Sequence, residues 1–195
     1  GIGRAVALAC AAEGASVVVN DYGVAQDGSE PNSEVADAVV KEIVDAGGAA
    51  VAVADSVADM AGGERIVATA VEQFGRIDGV VCPAGILRER MLFNMSDEEW
   101  DAVLAVHLRG HFLLTRNAGA YWRGKSKAVG GPVYGRIVNT SSEAGLLGPE
   151  GQANYAAAKA GITALTLSAA RGLARFGVRA NAICPRARTA MTAAV

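Results

Sequence analysis

Apolar positions along the chain fall into two periods that alternate from end to end. Ile2, Val6, Ala9 and Cys10 recur at three- and four-residue spacing, which predicts a helix over 2–13 with Gly14 as its C-cap. The run Ser16-Val-Val-Val-Asn20 is short and β-branched, as a buried parallel strand requires. Residues 22–32 mix Gly, Asp, Ser and Pro and predict a loop. Ser33 then opens a helix with Val35, Val39, Ile43 and Val44 on one face, ended by Gly47-Gly48. Strands follow at 49–54, 77–82, 136–140 and 178–183. Between them the spacing predicts helices over 64–74, closed by Gly75, over about 97–119 and over 153–176. Ser96 and Glu99 form a capping box before the second of these.

Strict alternation of helix and strand with short links predicts an α/β fold, a parallel sheet with helices on both faces. Right-handed crossovers then favour a Rossmann-like, doubly wound sheet, read here as one nucleotide-binding domain over 1–195. No strand precedes the glycine turn at Gly1, and the chain stops after a polar stretch at Val195. The expectation is therefore a fragment of that fold, lacking the first and the C-terminal strand.

Composition changes this picture little. Half the residues are hydrophobic but only 5% are aromatic, so Ala, Val and Gly supply thin, closely packed layers. A net charge of −2 gives no electrostatic reason to expect nucleic acid or an anionic membrane as partner. No apolar run reaches the roughly 18–20 residues of a membrane span. Cys10, Cys82 and Cys184 are odd in number and flanked by aliphatics, and are expected to be buried, reduced thiols of a cytoplasmic protein.

Candidate chemistry begins at Gly1-Ile2-Gly3. Glycines opening a helix let backbone approach a pyrophosphate, and the helix N-terminus offers N–H groups and partial positive charge. The plainer reading is a simple turn. Asp21 lies 18 residues past Gly3 at the end of the next strand, where a carboxylate accepts from ribose hydroxyls; on the plainer reading it forms a turn. Together the two features favour a dinucleotide, and an acid at 21 repels a 2′-phosphate, which favours NAD over NADP. Asp55 ends the following strand and is open to two readings, a partner for the adenine amino group or an N-cap or turn acid.

Tyr155 and Lys159 sit four apart on a predicted helix, so both project from one face. Ser142 lies 13 residues before Tyr155 across a loop holding Gly145, Gly148 and Gly151. A phenol, which ordinarily ionises at about pH 10, is a weak base at neutral pH. An ammonium nearby is expected to lower its pKa, so that Tyr155 exchanges a proton with an alcohol while Ser142 holds the substrate oxygen. Tyr-x-x-x-Lys alone is usually a surface pair; the order of the other features is what raises it. Ser141 is the rival serine, and spacing favours Ser142. His107 and His111 share a helix face, but no Cys, Asp or Glu at suitable spacing completes a metal site, and none is expected. Residues 121–134, with Arg123, Lys125 and Lys127, are expected to form a solvated link, with an oligomer contact open.

Gly1-Ile-Gly-Arg4, Asp21, Pro83-Ala-Gly85, Asn139-Thr-Ser-Ser142, Gln152-Ala-Asn-Tyr155-Ala-Ala-Ala-Lys159 and Asn181-Ala-Ile-Cys-Pro185 resemble the successive motifs of the short-chain dehydrogenase/reductase family. The resemblance implies a Rossmann fold of strand order 3-2-1-4-5-6-7. It implies Ser142, Tyr155 and Lys159 as catalytic residues, with Lys159 also on the nicotinamide ribose. Cofactor contacts would come from Gly1, Ile2, Gly3, Asp21, Asp55, Ser56, Ala84 and Gly85, with the backbone after Pro185 and Thr189 on the carboxamide. Three positions depart from the family's pattern. Cys82-Pro83 replaces an Asn-Asn pair, and Pro185-Arg186 replaces Pro-Gly, one residue short before Thr189-Ala-Met191. His107 stands where the family's fourth catalytic residue, an Asn, holds a relay water on its backbone carbonyl.

The Val106-His-Leu-Arg-Gly110 stretch is similar to the dehydrogenase domain of peroxisomal multifunctional 3-hydroxyacyl-CoA enzymes, and 3-oxoacyl-carrier-protein reductases are also similar. The implied activity is hydride transfer between NAD(P) and a small-molecule secondary alcohol or ketone, a 3-hydroxyacyl thioester or steroid-like alcohol, in a homodimer or homotetramer. The alternatives are an NADPH-dependent 3-oxoacyl reductase and a dinucleotide-binding sensor or scaffold without turnover.

Overall fold

A computed structural model describes residues 1–23 and 33–189; most of the loop expected over 22–32, and Met191, lie outside them. The fold is α/β, and its elements gather into two compact units. One comprises Gly1–Arg76 with the chain end from Ala187, the other Ile77–Arg186.

In the first unit, helix α1 (Ile2–Ala12), strand β1 (Ser16–Asn20), helix α2 (Glu34–Asp45), strand β2 (Ala49–Val53) and helix α3 (Met60–Phe74) follow in order. β1 and β2 pair in parallel from Ser16↔Ala49 to Asn20↔Val53. Ala7, Val39 and Ile43 are buried, with Leu8, Ala11, Val17, Val19 and Ala50 packed against them. The buried stripe of α2 is thus Ala36, Val39 and Ile43, whereas Val35 and Val44, expected on that face, are exposed. The reason is angular: 36, 39 and 43 follow the helical period, and 35 and 44 flank it on opposite sides. α3 begins at Met60, earlier than periodicity indicates, because the Asp59 carboxylate accepts from Gly62 N at 2.6 Å and caps it. Gly75, at φ 75°, ends it as expected.

The second unit holds strand β3 (Gly79–Cys82), helix α4 (Asp97–Leu104), a wider π-helical turn (Ala105–Arg109), helix α5 (Gly110–Val129), strand β4 (Gly135–Thr140), the short helix α6 (Ala144–Leu147), helix α7 (Ala153–Leu173) and strand β5 (Val178–Ile183). Both Ser96–Glu99 bonds of the capping box form. β4 is central, parallel to β3 on one side and β5 on the other. Ile137 on β4, Val103 on α4, Leu113, Ala118 and Trp122 on α5, and Ala158 and Ile162 on α7 are buried. β1 and β2 form a two-stranded sheet of the first unit, and β3 is an edge strand of the three-stranded sheet of the second.

Two expectations are corrected. Residues 121–129 continue α5 rather than forming a solvated link. Trp122 is 1% exposed and its Nε1 donates to the Ile77 carbonyl at 2.8 Å, so burial of the indole extends the helix until Gly130 turns it at φ 70°. Only Cys82 is a buried thiol, its pKa pushed up to about 12 by burial; Cys10 and Cys184 are exposed. Cys10 lies off the buried stripe of α1, and Cys184 follows the end of β5.

Candidate active site

Parallel strands deliver their C-terminal ends to one edge of a sheet, and in such sheets ligands bind at that edge. In the second unit that edge carries Ala84 and Gly85 after β3, Ser141 and Ser142 after β4, and Pro185 after β5. Ser141 N donates to Ile183 O at 2.8 Å, which extends the β4–β5 ladder to the threshold of Ser142.

The two serines have different roles. Ser141 is 3% exposed, and its hydroxyl donates to Lys159 O at 2.9 Å and pairs with Thr163 Oγ1 at 2.8 Å. It fastens β4 to α7. Ser142 is half-buried, accepts from Ala144 N at 3.2 Å and lies near enough to the Tyr155 hydroxyl to pull its pKa down. Of the two serines, Ser142 is the one that acts on the Tyr155 hydroxyl. Gly145 keeps the intervening loop close to α7, since a Cβ there would lie 2.6 Å from Ala160 N.

Tyr155 and Lys159 stand on the first turns of α7. Asn154 anchors that helix end: it is 1% exposed, donates to Arg88 O at 3.0 Å and Glu99 O at 2.9 Å, and accepts from Tyr155 N at 2.7 Å. Arg90 joins the same cluster, its N–H on Gly151 O at 2.8 Å and its guanidinium on Glu99 at 2.8 Å. Sequence reading missed Asn154, although an amide just before the tyrosine at a helix start is a signal for such an anchor.

Lys159 is 3% exposed, and its ammonium donates to the Thr140 carbonyl at 2.7 Å. Burial lowers its pKa to about 8, against a smaller upward pull from Cys184. The nitrogen lies 5.3 Å from the Tyr155 ring centroid. The Tyr155 phenol is pushed up, first by burial, with Ser142 opposing and Cys184 adding to it. This is opposite to the direction expected from the sequence. The ammonium is engaged by a backbone carbonyl, and desolvation of the phenolate outweighs what attraction remains.

His107 lies in the π-helical turn, 1% exposed, and meets Tyr155 edge-on with ring centroids 5.1 Å apart. Its Nε2 lies 2.8 Å from Ile86 O and 3.1 Å from Ile86 N. Burial first, then the Lys159 charge, lower its pKa to about 3, so the ring is neutral across the physiological range. Among the described residues no group of three or more His, Cys, Asp or Glu side chains is arranged to hold a metal ion.

In the first unit the corresponding strand ends carry Asp21 after β1 and Asp55-Ser56 after β2. Asp21 is exposed, and its Oδ1 accepts from Gly23 N at 2.9 Å. Asp55 does not cap α3, which Asp59 does; it pairs with Arg65 through Oδ1 at 2.5 Å. Asn20, unnoticed in the sequence, exchanges two 3.1 Å bonds with the Asp55 backbone and so ties the ends of β1 and β2 together. Ser56 Oγ accepts from Ala58 N at 3.1 Å. Gly1 is the N-cap residue of α1, with no side-chain cap hydrogen bond. Thr189 closes the described chain in this unit.

Comparison with known proteins supplies the family. The sequence profile described as short chain dehydrogenase matches residues 1–195. The chain is similar to hydroxyacyl-CoA dehydrogenase ChsB1 of Mycobacterium tuberculosis, 66% identical over all of this chain and 60% of that protein. It is also similar to peroxisomal multifunctional enzyme type 2 of Mus musculus, 47% identical over all of this chain and 25% of that protein. A crystal structure of a short chain dehydrogenase from Mycobacterium avium superposes with a TM-score of 0.91 at 59% identity, covering 98% of this chain and 66% of the other. The chain thus spans about 60% of the length of the mycobacterial relative. Among the described residues no helix is long and apolar enough to cross a membrane.

Proposed function

This chain belongs to the short chain dehydrogenase family, and on that premise we propose that the protein moves hydride between a nicotinamide dinucleotide and a secondary alcohol or ketone, with a 3-hydroxyacyl thioester as the first substrate class. The observation that carries this reading is buried Lys159 one helical turn from Tyr155, its ammonium 5.3 Å from the phenol ring centroid, with Ser142 just past the end of the adjoining strand. The substrate class rests on the printed name of the 66% identical mycobacterial relative.

Each residue then has a task. Ser142 donates to the substrate oxygen and holds it beside the phenol. In reduction Tyr155 gives its proton to the oxygen as the carbonyl becomes an alcohol; in oxidation the phenolate takes that proton back. The dinucleotide, when bound, supplies or accepts the hydride at the carbinol carbon. Lys159 presents a positive charge to the ribose hydroxyls and to the developing phenolate. The upward displacement of Tyr155 keeps it protonated at neutral pH, which suits the acid role without a prior ionisation step.

Each unit by itself carries residues suited to part of a dinucleotide. In the first, Gly1, Ile2 and Gly3 open α1 with N–H groups suited to a pyrophosphate, and Asp21 offers an exposed carboxylate to ribose hydroxyls. Arg65 engages Asp55 through Oδ1 in both of its bonds, and we assign Oδ2 to the adenine amino group, with Ser56 beside it. In the second, Ala84, Gly85 and Pro185 line the strand ends beside Tyr155 and Lys159; Thr189 is assigned to the carboxamide. Asp21 repels a 2′-phosphate and favours NAD. We read the two units as parts of one nucleotide-binding domain. The outer faces of α5 and α7 expose Phe112 and Leu167, which supports pairing of copies there.

Steady-state turnover of the full-length protein with NAD and with NADP, over secondary alcohols and 3-hydroxyacyl thioesters, tests the reading beside Tyr155→Phe. NAD-dependent turnover that collapses in the variant is the expected result. Turnover with NADP alone overturns the assignment of Asp21. Tight dinucleotide binding without any turnover overturns the enzyme and leaves a sensor or scaffold.

A further inference from the structure

Two buried imidazoles stand behind the candidate site, and their hydrogen bonds form one continuous line. Ile86 meets His107 Nε2 at 2.8 and 3.1 Å. The His107 backbone carbonyl lies 2.7 Å from His111 Nδ1. His111 Nε2 faces the Thr140 N–H at 3.3 Å, and the Thr140 carbonyl takes the Lys159 ammonium at 2.7 Å. Four of the five residues are at most 8% exposed, His107 and His111 both at 1%. The line crosses from the loop after β3, through the π-helical turn and α5, to the end of β4 and then α7.

The His107 carbonyl makes the shortest contact with the ring, at 2.7 Å, and although the Cys82 carbonyl also faces it, this contact assigns the His111 proton to Nδ1. A carbonyl oxygen only accepts and a backbone N–H only donates. Nδ1 therefore carries the proton toward His107 O, and Nε2 presents its lone pair to Thr140. We propose that His111 is a positioning residue for the reaction assigned above, on which this inference rests: its imidazole orients the His107 carbonyl and holds the Thr140 end of β4, and thereby the backbone oxygen on which Lys159 sits. The atom concerned is the one to which the family resemblance assigns the relay water.

An apolar side chain would fill the same space without the desolvation cost of a buried ring. The groups that face His111 are the His107 and Cys82 carbonyls, the Thr140 N–H and the Lys159 charge. Burial, aided by Lys159, brings its pKa down to about 4, so the ring is neutral at working pH and its two nitrogens keep distinct roles.

The test uses the full-length protein with His111→Leu and His111→Asn. Asn places an amide donor where Nδ1 stands; Leu fills the space with neither donor nor acceptor. A positioning role predicts that Leu lowers kcat by about tenfold to a hundredfold, as a displaced catalytic geometry does, with little change in KM for the dinucleotide, and that Asn recovers most of the loss. A core-filling role predicts the reverse order, Leu equal to wild type or better than Asn, and that result overturns the proposal. Imidazole 15N spectra of the wild-type protein, with His111 assigned by through-bond correlation to its backbone, give a second reading that needs no turnover and no variant. Protonated Nδ1 supports the proposal and protonated Nε2 overturns it. Wild-type protein that shows the Nδ1 tautomer yet turns over nothing overturns the proposed function and with it the positioning role, while the hydrogen-bond assignment stands.

Discussion

The ammonium of Lys159 donates to the backbone carbonyl of Thr140 at 2.7 Å, inside a region where the lysine is 3% exposed. A charge held in this way is costly to the folded state, because one carbonyl replaces a full hydration shell. Burial accordingly brings the group down to about 8 from its ordinary 10.5. The folded state therefore binds fewer protons than the unfolded chain between those values, and the Lys159 contribution to stability rises with pH across that window. Lys159→Met should abolish turnover while melting no lower than wild type at pH 7. Differential scanning calorimetry of the full-length variant checks this, and a melt several degrees lower would show that the Thr140 bond outweighs the desolvation.

The phenol of Tyr155 is displaced upward by burial. Oxidation needs the phenolate and reduction needs the phenol, so the two directions should respond oppositely to pH. The oxidation rate should climb through the alkaline range, and the reduction rate should hold from neutrality until the phenol ionises. Parallel kcat profiles in both directions, at saturating dinucleotide, decide it; an oxidation rate that levels off near neutrality would mean that the tyrosine is lowered in the working complex.

His107 and His111 fold as neutral rings, at about 3 and about 4, where an unfolded histidine titrates at 6.5. Below 6.5 the unfolded chain takes up protons that the folded state refuses. Stability should be fully present above that pH and fall as pH drops toward 4, by about 1.4 kcal/mol per pH unit for each histidine. Urea unfolding between pH 7 and pH 4.5 measures the slope, and His111→Asn should roughly halve it.

Gly85 carries the ring of His107 against its bare backbone. A Cβ there would lie well inside van der Waals contact with His107 Cε1. Gly85→Ala should cost about 1–3 kcal/mol, the usual range for overpacking, and should lower kcat with it, because the ring that shifts also touches Tyr155. A variant with wild-type stability and rate would show that the loop after β3 yields freely.

Most of the architecture is local in origin, which is why it was legible. Ser96 and Glu99 cap α4, Gly75 ends α3, and the β-branched run at 16–20 forms a parallel strand, each from contacts within a few residues. Ser142, Tyr155 and Lys159 could be named because a fixed helical pitch and a short loop bring them to one end of the second sheet. What was misread depended on distant partners. Val35 and Val44 look like core by composition, but the direction from which the sheet meets α2 buries Ala36 instead. Residues 121–129 read as a link by their charges, and it is Trp122, bonded to Ile77 45 residues away, that keeps them helical. Cys10 and Cys184 have aliphatic neighbours in sequence yet face outward.

The same division runs through the site. The sequence by itself determined the order of strands and helices and where the phenol, the ammonium and the carboxylates fall along them, because propensity, periodicity and side-chain chemistry travel with each residue. Only the tertiary structure decided that Lys159 rests on Thr140, that Tyr155 is raised rather than lowered, and that His111 joins His107 to the end of β4. Those outcomes depend on burial and on which backbone groups lie opposite a side chain, and neither exists until the helices have packed on the sheet.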